Sequence, residues 1–264
     1  MSYTITSLHR YPVKSMLGED LDAAVIDSRG VVGDRAFAVI DPVENRVGSA
    51  KIPKKWARLY DFSSSYPPSE GPEQASPVIT FPDGSRVSAE AADIDARLSD
   101  VLGKEVRFVS EKPGDLKLEA VKPGLDAVEL AETVDFPLVN PFFDFAALHL
   151  VTSATLSHLR SFYPGGDFDA RRFRPNLVLE TPGETGFVEQ TWVGKTLAVG
   201  PEVRLSVMMA THRCAATTLA HQGLPKDVDI LRTANRQNGG NVGVYAKVQQ
   251  GGTIRVGDEV IVGD

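Results

Sequence analysis

The chain has 264 residues, 42% of them hydrophobic, with 28 basic against 35 acidic side chains and a formal net charge of −7. That composition excludes a globally disordered chain and suits one large domain or two modest ones, since domains commonly run to roughly 100–200 residues. It offers no long basic stripe for a nucleic-acid backbone, and no apolar run nears the roughly 20 residues that cross a bilayer.

Met1-Ser2-Tyr3-Thr4-Ile5-Thr6 lacks the basic and then apolar stretches of a secretory leader, so a cytoplasmic protein with no membrane partner is expected. In chain order, short apolar runs punctuated by 23 glycines and 17 prolines predict strands and tight turns. Strands are expected at 3–8, 21–26, 35–40, 78–81 and 105–109. Phe81-Pro82-Asp83-Gly84-Ser85 reads as a hairpin turn, with Asp-Gly supplying positive φ. Ile94, Leu98, Val101 and Leu102 share a helix face that Gly103 ends. Residues 63–77 read as a polar, proline-rich loop, and 110–125 as charged and broken by proline. The domain boundary is expected there, giving domains 1–118 and 119–264.

The second half opens with an apolar stretch, Phe136–Phe145, interrupted by two prolines. A strand at 146–151 leads into a helix from about Ser153, with Thr152 or Ser153 as N-cap and Leu156, Leu159 and Tyr163 on one face. Further strands are expected at 176–180, 196–199, 202–208, 243–248, 253–256 and 259–262, with a short helix at 227–235 capped by Asp227. The expected fold is mainly β with some α: two β-barrel-like domains with a few covering helices.

Four clusters carry possible chemistry. Cys214, the single cysteine, follows the apolar run Val207-Met208-Met209-Ala210 and the cationic His212-Arg213. Adjacent cations favour the thiolate, the form that attacks electrophiles or ligates soft metals; the alternative is a thiol merely packed under a strand end. One cysteine cannot form an internal disulfide, and no CxxC or HExxH pair suggests zinc. Arg171, Arg172 and Arg174 precede a strand and suit phosphate or carbonyl recognition, or else a solvated loop paired with Asp167 and Asp169. Tyr11-Pro12-Val13-Lys14-Ser15 and Gly33-Asp34-Arg35 place a cation, a hydroxyl and a guanidinium on loops. Thr152-Ser153 opens a helix, where unpaired N–H groups attract anions unless simple capping uses them.

Taken together these segments resemble the MOSC-domain family with its N-terminal β-barrel partner domain, and are similar in type to the mitochondrial amidoxime-reducing components and their bacterial counterparts. Tyr11-Pro12-Val13-Lys14-Ser15, Gly33-Asp34-Arg35, Phe173-Arg174-Pro175-Asn176, Arg213-Cys214 with Thr217-Thr218, Gly243-Val244-Tyr245 and Gly252-Thr253-Ile254-Arg255-Val256-Gly257-Asp258 carry the match, in the family's order and over nearly the whole chain. The resemblance implies a molybdenum cofactor (Mo-molybdopterin) held between the two domains, with Cys214 as the catalytic metal ligand. It assigns cofactor binding to Lys14, Ser15, Arg35, Thr152, Ser153, Arg174, Asn176, Arg213 and Tyr245. After Thr217-Thr218 the sequence departs from the family, running Leu219-Ala220-His221-Gln222 in place of Val-Asp-Pro-x-Thr-Gly.

The activity so implied is that of a molybdenum-containing oxidoreductase, reducing N-oxygenated (N-hydroxylated) compounds by oxygen-atom transfer. No cysteine-rich ferredoxin module or second cysteine is present. Electrons for a small-molecule substrate would then come from a separate donor protein of ferredoxin, flavoprotein reductase or cytochrome type. The alternative is a cofactor or sulfur carrier without turnover, in which Cys214 holds a persulfide or the metal. A strand-rich binding protein with an inert cysteine is the third reading.

Overall fold

The computed structural model describes residues 2–68, 72, 75–111, 114, 116–121, 133–137, 142–143 and 145–263. It contains two compact units: Met1–Arg10, Asp20–Val32 and Ala146–Asp264 form one, and Tyr11–Glu19 with Gly33–Phe145 form the other. No helix among the described residues is long and apolar enough to cross a membrane.

In the first unit seven strands close into a barrel. Their order is Leu177–Glu180, Leu148–Thr152, Asn241–Gln250, Val203–His212, Thr196–Val199, Glu259–Val262 and Ser2–Arg10, the last pairing back onto Leu177–Glu180. The fold is mainly β with 22% helix, as the short apolar runs predict. Period-two alternation sorts the faces. Leu148, Leu150, Leu177, Leu179, Leu205, Val207, Val244 and Ala246 fill the interior. Val151, Val178 and Val242 turn outward and meet Leu156 and Leu159 of the helix Ser153–Phe162 and Ile230 and Ala234 of the helix Asp229–Asn238. Strands Leu148–Thr152 and Leu177–Glu180 run parallel, so the intervening helix is the crossover such a pair requires.

Local chemistry sets the element ends. Thr152 is the cap of the first helix, its hydroxyl accepting the Thr155 N–H at 3.2 Å. The second helix starts at Asp229, two residues later than expected, because the Asp227 carboxylate accepts the Asp229 N–H at 2.9 Å and makes a turn ahead of it. The single strand expected at 21–26 divides at Asp22: Glu19–Leu21 lies beside Ser2–Arg10, whereas Ala23–Asp27 pairs with Gly252–Arg255.

The second unit holds a five-stranded sheet in the order Arg107–Val109, Ala38–Asp41, Arg46–Val47, Lys117–Val121, Thr133–Pro137, and a three-stranded sheet of Ser63–Ser65, Val78–Thr80 and Arg86–Ser88. The Asp83-Gly84 hairpin forms as expected, with Gly84 at φ +85°. So does the helix Ile94–Leu102, closed by Gly103 at φ +72°. Val13, Met16, Val39, Trp56, Leu59, Phe62, Ile79 and Leu98 pack in its core.

Three expectations are corrected here. Ser63–Ser65 is a strand, not loop, since it pairs with Val78–Thr80. The strand expected from Arg35 begins at Ala38, because Arg35 sits at φ +49°, outside extended geometry. Residues within 110–125 include the strand Lys117–Val121, paired antiparallel with Thr133–Pro137. Residues 138–141 and 144 of the apolar stretch 136–145 lie outside the described residues.

Candidate functional site

Strand Val203–His212 ends at its bridge to Asn241, and the Arg213 N–H then reaches the Gly240 carbonyl at 2.8 Å. Cys214 follows in extended geometry and caps a 3-10 turn, Ala215–Thr218. Its carbonyl accepts both the N–H and the hydroxyl of Thr217, at 3.1 and 3.0 Å. The backbone is thereby fixed, and the residue is half-buried. Arg213 donates through Nη2 to the Phe173 carbonyl at 2.7 Å and lies over the Phe173 ring, leaving its buried Nε without a hydrogen-bond partner among the described residues. The fully buried Thr211 hydroxyl also lacks one there.

The arginine cluster divides into three roles. Arg171 forms an ion pair with Asp169 at 2.7 Å, as a solvated-loop reading requires. Burial pushes the Asp169 carboxyl up, but the bonds from Arg171 outweigh it and leave the group below its ordinary range. Arg172 is 1% exposed and donates to the carbonyls of Asp167, Thr217, Leu219 and Pro225, clamping the segment that follows Cys214. Arg174 closes the turn at φ +50°.

Asn176 is buried and joins two strands, accepting from the His149 N–H at 3.2 Å and donating to the His9 carbonyl at 3.3 Å. His149 in turn faces Tyr245, with ring centroids 5.8 Å apart. Gly243, two residues before Tyr245, sits at φ +83°, and a Cβ there would run into His149 Nε2 and the Leu150 carbonyl. Only glycine fits so close an approach.

At the Thr152-Ser153 helix start the Ala154 and Thr155 N–H groups have partners within the fold. Thr152 caps Thr155, the Ala154 N–H donates to the Thr181 hydroxyl at 3.2 Å, and Ser153 Oγ accepts the Thr181 N–H at 3.0 Å. Beneath it lies Glu189, fully buried, which accepts from Thr152 Oγ1 at 2.7 Å, Thr155 Oγ1 at 2.6 Å and the Gly243 N–H at 3.1 Å. Burial pushes its carboxyl pKa up. Sequence reasoning passed over Glu189; its only signal is an apolar flank, Phe187-Val188 and Trp192, around an acidic residue.

In the second unit the two N-terminal motifs fold against each other. Lys14 is 3% exposed and donates through Nζ to the Phe142 carbonyl at 2.8 Å. Ser15, at φ +64°, accepts the Ala50 N–H at 3.1 Å. Arg35 pairs with the buried Asp34, and its guanidinium lies 5.0 Å from the Tyr11 ring centroid and 5.9 Å from that of Phe143. Asp34 also accepts the Tyr11 N–H at 2.7 Å.

Backbone strain singles out the same residues. Five non-glycine residues among those described have positive φ, and three of them are Ser15, Arg35 and Arg174. Each left-handed placement costs roughly 1–2 kcal/mol and persists only where the surroundings enforce it, which concentrates such residues at functional sites. Among the described residues no group of three or more His, Cys, Asp or Glu gathers around a possible metal position.

A family model described as the MOSC N-terminal beta barrel domain matches residues 2–121, and one described as the MOSC domain matches residues 138–261. MOSC domains are associated with molybdenum-cofactor binding. Among solved structures, the YUAD protein from Bacillus subtilis is similar over 99% of this chain and 96% of its own, at 11% identity and a TM-score of 0.51. YiiM from Geobacillus stearothermophilus aligns over 57% of this chain and 74% of its own, at 20% identity and a TM-score of 0.36. No curated protein matches.

Proposed function

Because the chain belongs to the MOSC-domain family with its N-terminal β-barrel domain, we propose that it is a molybdenum-cofactor-dependent oxidoreductase that reduces N-hydroxylated compounds. The observation that carries the reading is the setting of Cys214: a half-buried cysteine on a fixed backbone, next to an arginine whose buried Nε has no hydrogen-bond partner among the described residues. The donor set fits the group. One soft thiolate is available for the metal, and cations and hydroxyls suit a pterin and its phosphate.

Cys214 is the proposed metal ligand. Arg213, Arg174, Asn176, Tyr245, Ser153 and Thr152, together with Lys14, Ser15 and Arg35, are the proposed cofactor-binding residues. Thr152 and Asn176 act chiefly by holding the strand ends from which their neighbours project, since their side chains are engaged in the fold. When bound, the cofactor supplies two-electron oxygen-atom transfer. Arg172 keeps the segment after Cys214 in place during turnover, and Arg213 binds and orients an acceptor through Nε. In this reading electrons come from a separate protein of ferredoxin, flavoprotein reductase or cytochrome type.

The test is turnover. Protein produced with cofactor supply is given a chemically reduced viologen and an aryl amidoxime, and formation of the amidine is followed. Reduction by the wild type and its loss in Cys214→Ser are expected. Firmly bound cofactor with no turnover across several N-hydroxylated substrates would instead establish the carrier reading.

A further inference from the structure

The first unit also contains a hydrogen-bonded chain of serine, histidine and aspartate. Ser7 Oγ lies 3.0 Å from His9 Nε2, and His9 Nδ1 lies 2.7 Å from Asp20 Oδ1. We propose that Ser7, His9 and Asp20 form a second, hydrolytic site that accepts small unhindered acyl esters.

The arrangement follows from one irregularity in the first strand. Tyr3 and Ile5 point into the barrel, and strict alternation would send Ser7 and His9 inward after them. The register slips by one residue between Ile5 and Ser7, pairing Ile5 with Leu179 and Ser7 with Val178. Thr6 is the extra residue of this bulge, and Leu8 takes the inward position in its place. Ser7 and His9 therefore share the outer face, where Asp20 of the neighbouring strand Glu19–Leu21 meets the ring. Bulges re-aim side chains in this way and are over-represented beside active sites.

The roles follow from what each atom does. An ionised carboxylate only accepts, so Nδ1 carries the ring proton and Nε2 is left as the base facing the serine hydroxyl. Ser7 is partly exposed and the Asp20 side chain is 86% exposed, so a substrate approaches from solvent. In the acyl-transfer step the Oγ–carbonyl bond forms as Nε2 takes the hydroxyl proton. The ester C–O bond then breaks as the imidazolium returns that proton to the leaving alcohol. Water, activated by the same nitrogen, releases the acid and restores Ser7.

General-base assistance of this kind contributes about 10²–10⁴-fold, which sets the expected size of the effect. The full chain is treated with a fluorophosphonate and the adduct is located by peptide mass spectrometry, while p-nitrophenyl acetate hydrolysis is measured in parallel. The expected result is an adduct on Ser7 and hydrolysis at least 100-fold above the uncatalysed rate, both abolished by Ser7→Ala. Asp20→Asn, at an exposed position, lowers both rates about tenfold with an unchanged melting temperature. An adduct elsewhere, no adduct, or hydrolysis that survives Ser7→Ala in a folded protein would overturn the proposal.

Discussion

Thr152 and Glu189, 37 residues apart, are joined by a 2.7 Å hydrogen bond in which both partners are fully buried. Glu189 also accepts from Thr155 and from the Gly243 N–H, so one carboxyl group ties the start of a helix to the strand carrying Tyr245. Glu189→Ala leaves these donors without their acceptor and is expected to cost about 3 kcal/mol in urea unfolding. Glu189→Gln keeps one acceptor oxygen and costs about 1 kcal/mol. Because the folded pKa of Glu189 is raised, its contribution is largest below its ordinary value near 4.5 and is lost as pH rises toward the folded pKa. The wild type should therefore lose stability relative to Glu189→Gln as pH rises from 4.5, seen in urea midpoints across the range.

The buried Arg172 guanidinium has an analogous role for the segment after Cys214. Arg172→Met removes the donor to four carbonyls and is expected to cost about 3 kcal/mol. Arg172→Lys keeps the charge but not the planar fork, so it cannot reach all four. Its expected signature is a several-fold faster reaction of Cys214 with a thiol reagent, measured under native conditions.

His221 gives the opposite pH dependence to Glu189. Burial lowers its pKa, and Arg172, Arg174 and Arg171 add to the effect against the carbonyl of Leu219. The unfolded chain takes up a proton below about 6.5 while the folded chain resists it, so stability falls as pH drops through 6.5. In His221→Asn this part of the decline should vanish, as read from melting temperatures between pH 7.5 and 5.

Much of the fold is legible in the sequence because it is locally encoded. Asp83-Gly84 sets its hairpin, Gly103 ends its helix, and Thr152 caps another. The strand at 117–121 was not legible, because its partner Thr133–Pro137 lies across a connection that composition does not specify. Of the candidate site, Cys214, Arg174 and the Lys14-Ser15 and Arg35 motifs stand out as residue types in ordered segments. Glu189 and Arg172 do not, since a charged side chain reads as surface until tertiary packing supplies its partners. The bulge at Thr6 was equally hidden, because a register slip appears only against the paired strand.

Ser15 allows backbone strain to be separated from chemistry. Ser15→Gly and Ser15→Ala both remove the hydroxyl that accepts the Ala50 N–H. Only glycine relieves the left-handed φ of +64°, so Ser15→Gly should be more stable than Ser15→Ala by about 1 kcal/mol. Cofactor retention should fall in both, because the hydroxyl is missing from each.

Molybdenum content per chain, measured by elemental analysis on protein produced with cofactor supply, addresses the role of Cys214 most directly. The wild type is expected to carry close to one molybdenum per chain and Cys214→Ser almost none, at matched melting temperatures. A wild type without molybdenum, or a Cys214→Ser protein that keeps its full complement, would contradict the assignment of this single thiol as the metal ligand.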